Sequence, residues 1–329
     1  MMFLSVKEIQ DKLRAWGDNL ENVPVLGKLI QKSRKLTLPG FQHMPVYDVM
    51  GFFAQSMSKG VIFQRAAALT YRVFIALVPM IIALFSAIAF LGDNVQQELI
   101  SLLHSLIPTY AWPAVADIIT GVVTVQNGTL STLMLTFGIY FGVLCSNGLL
   151  AALDTSYFNV QKRSFLRQLW LSFVIMVVGF FAIVLILGLL IFSSVLLDFI
   201  HDRLGTPIRG YFFLVHGVKW ILVFAALYFL VSALYYIAPV QKSNYRFFSA
   251  GSSMCTISLV VILWALNFYF SHFSNYNLIY GSLGALFAIL LWINWSSLAL
   301  LVGFDLNVSI AKAKDEGIER IENPKFQDP

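Results

Sequence analysis

Six long apolar stretches with almost no charged residues run through this chain of 329 residues, and they constrain its fold more than any motif does. A helix needs about 20 apolar residues to cross the hydrocarbon layer of a membrane. The stretches that meet this requirement are residues 73–91, 130–153, 169–197, 212–238, 247–270 and 283–304. Charged residues make up 12% of the chain, half the share of a soluble domain, and the mean hydropathy is +0.77. The sequence therefore predicts an all-α, polytopic membrane protein with six transmembrane helices in one bundle.

The Lys and Arg residues fall in alternate connections between these stretches. They are frequent before the first stretch, between the second and third, between the fourth and fifth, and after the sixth. The other connections hold only Arg203 and Arg209, which Asp198 and Asp202 balance. Because Lys and Arg favour the cytoplasmic side of a membrane, both termini are predicted to be cytoplasmic. The predicted units are an N-terminal cytoplasmic extension (1–44), the membrane domain (45–310) and a cytoplasmic tail (311–329).

Two segments beside the spans show helical apolar patterns. Val46, Val49, Met50, Phe53 and Met57 recur at helical spacing and predict a helix lying on the cytoplasmic membrane surface. The connection 93–128, on the opposite side, has a similar pattern of Val and Leu residues before a proline. It is interpreted either as a cap on the bundle or as a lid over an outward-facing cavity.

The residues that carry enzyme chemistry do not form recognisable groups. The five histidines (His43, His104, His201, His216 and His272) are isolated and lack the spacing that collects a metal ion. Phosphate-binding glycine loops, nucleophile elbows and CxxC pairs are missing from the sequence as well. We therefore expect no catalytic residue, metal, cofactor or nucleic-acid partner, the last because the basic residues follow the topology and do not form a patch.

Three motifs stand in order along the chain: Arg65–Pro79 (RAAALTYRVFIALVP), Leu153–Phe165 (LDTSYFNVQKRSF) and Tyr280–Asn307 (YGSLGALFAILLWINWSSLALLVGFDLN). Together they resemble the YihY/BrkB-type bacterial inner-membrane proteins, a family once described as ribonuclease BN. The resemblance covers roughly residues 45–310 and implies six spans in the inner membrane. The family often has Glu where this chain has Asp305, so any partner of this shorter side chain would have to lie closer.

Deep polar residues form the first candidate site. Asn147, Asn267 and Asn294 lie inside predicted spans, where polar side chains are costly and usually face the bundle interior. Hydrogen bonds between helices would explain them. The alternative is a polar path or headgroup site lined by Asn147 and Asn294.

Charged residues at the cytoplasmic edge form the second candidate site. Arg65 and Arg72 stand near the start of the first span, while Asp154 and Asp305 follow the second and sixth. Opposite charges there are expected to pair across helices. A gate, or a coupling site driven by protonation of Asp154 or Asp305, is the alternative.

Several small residues and one proline mark close packing or bending. Pro79 removes a backbone hydrogen bond within its span and predicts either a packing kink or a hinge. Gly138 and Gly142 permit close approach of another helix, as do Gly281 and Gly284 at the start of the last span.

These features favour the translocation or handling of a lipid or small solute in the cell envelope. The alternative is a non-catalytic membrane scaffold that recruits partners through its cytoplasmic N-terminal segment. Membrane lipids are the expected partners. A homo-oligomer and a cytoplasmic protein partner are both compatible with the sequence.

Overall fold

A computed structural model of the protein describes residues 36–37, 41, 44–58, 61–89, 128–154, 163–204, 209–239, 247–272 and 282–322, with isolated residues between 97 and 116. Seven helices occupy these ranges: α1 (Val46–Ser58), α2 (Val61–Ala89), α3 (Gly128–Asp154), α4 (Phe165–Leu204), α5 (Arg209–Ile237), α6 (Ala250–His272) and α7 (Ser282–Glu322). Most of the predicted N-terminal extension and of the connection 93–128 lies outside the described residues.

Helices α2 to α7 are each long and apolar enough to cross a membrane, which confirms the prediction of six spans in an all-α chain. Two helices extend well beyond the predicted spans. α2 begins at Val61, twelve residues before the predicted start, and α7 runs unbroken through residue 310 to Glu322. With a rise of about 1.5 Å per residue, α7 is about 60 Å long, twice the thickness of the hydrocarbon layer.

The six spanning helices form a ring. Each helix from α2 to α6 packs against the next one in sequence, and α7 packs against α6 and returns to α2. α7 also contacts α1 and α3, so it has more neighbours than any other described helix. α7 is therefore the element that closes the ring.

The two ends of this ring are packed differently. We call the end where α2, α4 and α6 begin and α3 and α5 finish the charged end, and the opposite one the far end. The main core lies at the charged end, where Leu150, Leu153, Tyr235 and Phe304 are almost completely buried. The ring of Tyr235 meets that of Phe304 edge to face, with centroids 5.5 Å apart.

Between the charged end and the far end, three consecutive helices have long segments without buried residues. Every described side chain is at least partly exposed over residues 176–189 of α4, 217–230 of α5 and 257–269 of α6. In the most apolar part of each span, 33% of α7 is buried but 11% of α4. Buried residues reappear beyond these segments, at Leu190, Val215 and Phe270, so the loose packing of α4, α5 and α6 lies between the two ends.

Helix α1 packs on the extension of α7 beyond the charged end. Val49 is fully buried in a cluster with Leu306, Ile310 and Ala313 of α7, and Lys312 places its Nζ 4.7 Å from the centroid of the Phe52 ring. The prediction that the apolar stripe of α1 lies on the membrane is therefore wrong for Val49, because a second apolar surface, on α7, was available. Met50 remains 46% exposed.

Candidate functional site

An ion pair joins the first and last spans at the charged end. Nη2 of Arg65 in α2 donates to Oδ1 of Asp305 in α7 over 3.2 Å. The Asp305 side chain is fully buried and that of Arg65 is 11% exposed. Two such charges stabilise each other only while both are present, since either one alone would be an uncompensated charge out of water.

A second ion pair joins three other chain segments. Nη2 of Arg163, just before α4, donates to Oδ1 of Asp154 at the end of α3 over 3.1 Å. The same nitrogen donates to the carbonyl oxygen of Ala238, just after α5. Sequence reasoning missed Arg163 as a site residue and treated it as one of the basic residues of its connection.

The predicted cluster of four charges is thus divided. Asp305 takes Arg65, and Asp154 takes Arg163, which leaves Arg72. Arg72 is exposed and forms no hydrogen bond or ion pair with any described residue. Its side chain lies against Gly148 of α3, where a Cβ atom would overlap the Cδ of Arg72. Arg72 therefore occupies a position that α3 leaves open for it.

Two polar residues near the end of the last span, Asp305 and Asn307, hold two other helices against α7. Asp305 holds α2, and Asn307, two positions later, holds the start of α6. Oδ1 of Asn307 accepts from the backbone N–H of Gly251 over 2.9 Å, and its Nδ2 donates to Oγ of Ser249 over 2.8 Å. The first backbone N–H groups of a helix lack partners within it, so Asn307 acts as a cap supplied by a neighbouring helix.

Below this cap α6 and α7 come into backbone contact. A Cβ atom on Gly251 would overlap the carbonyl oxygen of Gly303, and one on Gly303 would lie 2.6 Å from the Tyr235 hydroxyl oxygen. That hydroxyl donates to the carbonyl oxygen of Leu300 over 2.6 Å. α5, α6 and α7 therefore converge at one point, which sequence reasoning did not identify.

The deep asparagines bond to different helix pairs. Nδ2 of Asn294 in α7 donates to Oγ1 of Thr70 in α2 over 3.2 Å. Oδ1 of Asn147 in α3 accepts from Nε2 of Gln168 in α4 over 3.0 Å. Asn267 of α6 is exposed. Asn147 and Asn294 thus each join adjacent helices, and a shared polar path between them stays a prediction.

The glycines and the proline lie largely between α2, α3 and α4. A Cβ atom on Gly138 would overlap that of Ala83 and lie 3.1 Å from the carbonyl oxygen of Pro79, and one on Gly142 would lie 2.9 Å from Met176. α2 continues through Pro79 without interruption. Gly284 is buried, whereas Gly281 lies outside the described residues.

Within the described ranges, three or more His, Cys, Asp or Glu side chains never come together in a group able to hold a metal ion. The arrangement at the charged end consists instead of ion pairs, a polar cap and one further arginine.

Comparison with known proteins identifies the family. The sequence profile of the virulence factor BrkB family matches residues 53–327, well over half of the chain. The chain belongs to the virulence factor BrkB family. This membership agrees with the resemblance seen in the three motifs and confirms an integral membrane protein.

Relatives of this BrkB-family chain occur in several bacteria. YfkH of Bacillus subtilis (strain 168), described as ribonuclease-like, is 26% identical over 76% of this chain and 90% of its own length. UPF0761 membrane proteins of Aggregatibacter aphrophilus (strain NJ8700) and Haemophilus influenzae (strain 86-028NP) are also 26% identical, over 83% and 82% of this chain and 96% of their own lengths. No solved structure gives a significant match.

Proposed function

We propose that this BrkB-family protein translocates or handles a lipid or small solute in the bacterial cell envelope. In this proposal it lies in the inner membrane with both termini in the cytoplasm, so that the charged end is cytoplasmic and the far end faces outward. The alternating Lys and Arg residues support this orientation. The proposal includes no catalytic reaction, because the histidines are isolated in sequence.

The observation that carries the proposal is the loose packing of α4, α5 and α6 over residues 176–189, 217–230 and 257–269, between the charged end and the far end. A helix packed inside a bundle normally buries one stripe of side chains. These three helices bury none over 13 or more consecutive residues each, whereas α7 buries Gly284, Ala288, Ile293 and Ser297. This loose packing supports a route for a lipid or small solute along these segments of α4, α5 and α6.

The charged end supplies the closed side of such a pathway. The Arg65–Asp305 pair and the Asn307 cap fasten α2 and α6 to α7, and the Arg163 contacts connect α3 to α5. A bundle fastened at one end and loosely packed along three of its spans has the form expected of one state of an alternating-access or lipid-moving protein.

The proposal is tested by reconstitution into vesicles with a fluorescent phospholipid and, separately, a small fluorescent solute inside. We expect the purified protein to move one of these probes faster than protein-free vesicles do. Movement of neither probe by well-folded protein would overturn the proposal.

A matched pair of variants tests the route. Ala226 of α5 is partly buried and its neighbour Ala225 is exposed. Ala226→Trp adds a large side chain on the partly buried face, so it is expected to slow movement several-fold, and Ala225→Trp is expected to leave it unchanged. Equal rates in both variants would exclude this face as the route.

The scaffold function is a second candidate because of the α1–α7 unit. Val49 and the Phe52–Lys312 contact hold α1 against α7, which fixes where the N-terminal extension leaves the bundle. Deleting residues 1–44 separates the two functions. Loss of a captured partner with normal probe movement would support the scaffold, and unchanged capture would reject it.

A further inference from the structure

Arg72 is a charged residue within the spanning part of α2. The two carboxylates of the predicted charge cluster already have other partners. Asp305 is bound by Arg65, and Asp154 by Arg163. Arg72 itself makes no hydrogen bond or ion pair within the described ranges, and its side chain is exposed. Among the described residues, the arrangement therefore leaves the guanidinium group of Arg72 without a protein anion.

The depth of Arg72 can be measured on two helices. On α3 it lies against Gly148, six residues before Asp154, and on α2 it stands seven residues after Arg65. At about 1.5 Å per residue, these spacings place Arg72 about 9 to 10.5 Å from the level of the two ion pairs. An arginine at this depth is costly unless an anion or water accompanies it.

The local geometry favours an anion that arrives from the charged end. Side chains on a helix tilt toward its N-terminus, and α2 begins at the charged end, so the Arg72 side chain is directed back toward that surface. Gly148 gives the guanidinium a place at the seam between α2 and α3, because no side chain fills that space. Arginine binds phosphate oxygens through two parallel N–H groups, and at this seam those groups bind no described carboxylate.

We propose that Arg72 binds the phosphate group of an anionic phospholipid from the leaflet at the charged end. The lipid is held at the α2–α3 seam with its phosphate drawn several ångströms below those of its neighbours. This inference rests on the proposed function, and it narrows the cargo to an anionic, phosphate-bearing lipid. Ordinary snorkelling of Arg72 to bulk headgroups would show no preference among lipids.

The test is native mass spectrometry of the full chain in mild detergent, titrated with dioleoyl phosphatidylglycerol and, separately, with dioleoyl phosphatidylcholine. We expect the wild type to retain phosphatidylglycerol in preference. Arg72→Gln should lower its retention about tenfold, the loss expected for one charge-assisted pair, and Arg72→Lys should lower it less. Arg167→Gln is the matched control, because Arg167 is an exposed arginine near the same end.

A second variant moves the guanidinium without removing it. Gly148→Leu places a side chain where Arg72 lies, so it should lower retention as Arg72→Gln does. Gly179→Leu, at a position with no atom within 4 Å of the added Cβ, should behave as wild type. Each test variant and its control together distinguish loss of the lipid site from loss of the fold. Thermal melting of each variant shows whether it is folded.

Three results would overturn the inference: equal retention by Arg72→Gln and wild type, equal loss in Arg167→Gln, or equal retention of both lipids. Displacement of phosphatidylglycerol by excess inorganic phosphate would show that the site takes the free anion and that the lipid chains contribute nothing. Failure of the proposed function looks different. It would appear as Arg72-dependent binding in a protein that moves neither vesicle probe.

Discussion

The charged end and the middle of the ring are built from the same helices but are held together in different ways. At the charged end, ion pairs, a side-chain cap and two glycines in backbone contact connect all six spans. Between the two ends, α4, α5 and α6 bury no side chain over 13 or more consecutive residues each, although Leu190, Val215 and Phe270 are buried nearer the far end. In a membrane the hydrophobic effect does not drive helices together, so close packing and polar contacts must do it. The difference shows that the polar and close-packing contacts of this bundle are concentrated at the charged end.

The largest effect is expected when the buried ion pair is broken. Asp305→Ala leaves Arg65 without its carboxylate, and the free energy of unfolding should fall by about 3–5 kcal/mol. Thermal unfolding in detergent measures it. Asp315→Ala, an exposed acidic residue of the same helix, is the control, and Asp305→Glu should restore part of the stability. A loss below about 1 kcal/mol would mean that the pair behaves like a surface ion pair.

Replacing glycine by alanine should lower the stability of the protein at Gly251, near the charged end, and raise it at Gly188, in the loosely packed part of α4. Gly251→Ala would force a Cβ atom into the carbonyl oxygen of Gly303, and such overpacking costs about 1–3 kcal/mol. At Gly188, in the loosely packed part of α4, a Cβ atom meets nothing within 4 Å. Gly188→Ala should therefore stabilise the helix by about 0.5–1 kcal/mol, because alanine favours helix. Chemical unfolding of both variants checks the signs, and destabilisation at Gly188 would show that this part of α4 is closely packed after all.

The polar cap on α6 should contribute a moderate amount. Asn307→Ala removes two hydrogen bonds at the start of α6 and should lower stability by about 1–3 kcal/mol. The local effect is faster hydrogen exchange of the first amides of α6. Asn267→Ala, at an exposed position on the same helix, should change stability by less than about 0.5 kcal/mol. Equal exchange in both variants would contradict the cap.

The smallest effect is expected at the hydrogen bond between α2 and α7. Asn294→Leu removes the bond to Thr70 and should cost about 0.6 kcal/mol, the average for polar contacts between helices in a membrane. Thermal unfolding in detergent measures the change, and Thr70→Val removes the same bond from the other side. If Asn294→Leu abolishes probe movement while Thr70→Val leaves it intact, Asn294 serves transport as well as packing.

The number of spans followed from the sequence, but their limits did not. Runs of apolar residues long enough to cross a membrane are visible without knowledge of packing. The start of α2 was missed because Gln64, Arg65 and Arg72 interrupt its apolar run. Since Asp305 neutralises Arg65, that interruption lies inside the helix.

The candidate residues could be chosen from the sequence, but their partners could not. Arg65 and Asp305 were both selected, yet they stand 240 positions apart, and Asp154 was equally available on charge alone. Arg163 and the Gly251–Gly303 contact carried no clear sequence signal, because a basic residue in a connection and a glycine in an apolar helix are both common. These pairings depend on how α7 crosses the other helices.

Because α7 is long and is held near its middle, it can act as a lever. Gly303, where α7 is pinned against α6, stands 21 positions after Ser282 and 19 before Glu322, so its two arms are nearly equal. A stiff rod pivoting there moves its tips by similar distances in opposite directions. A displacement of the C-terminal part of α7, for example through α1, would therefore move the N-terminal end of α7, on the other side of the membrane, by nearly the same distance.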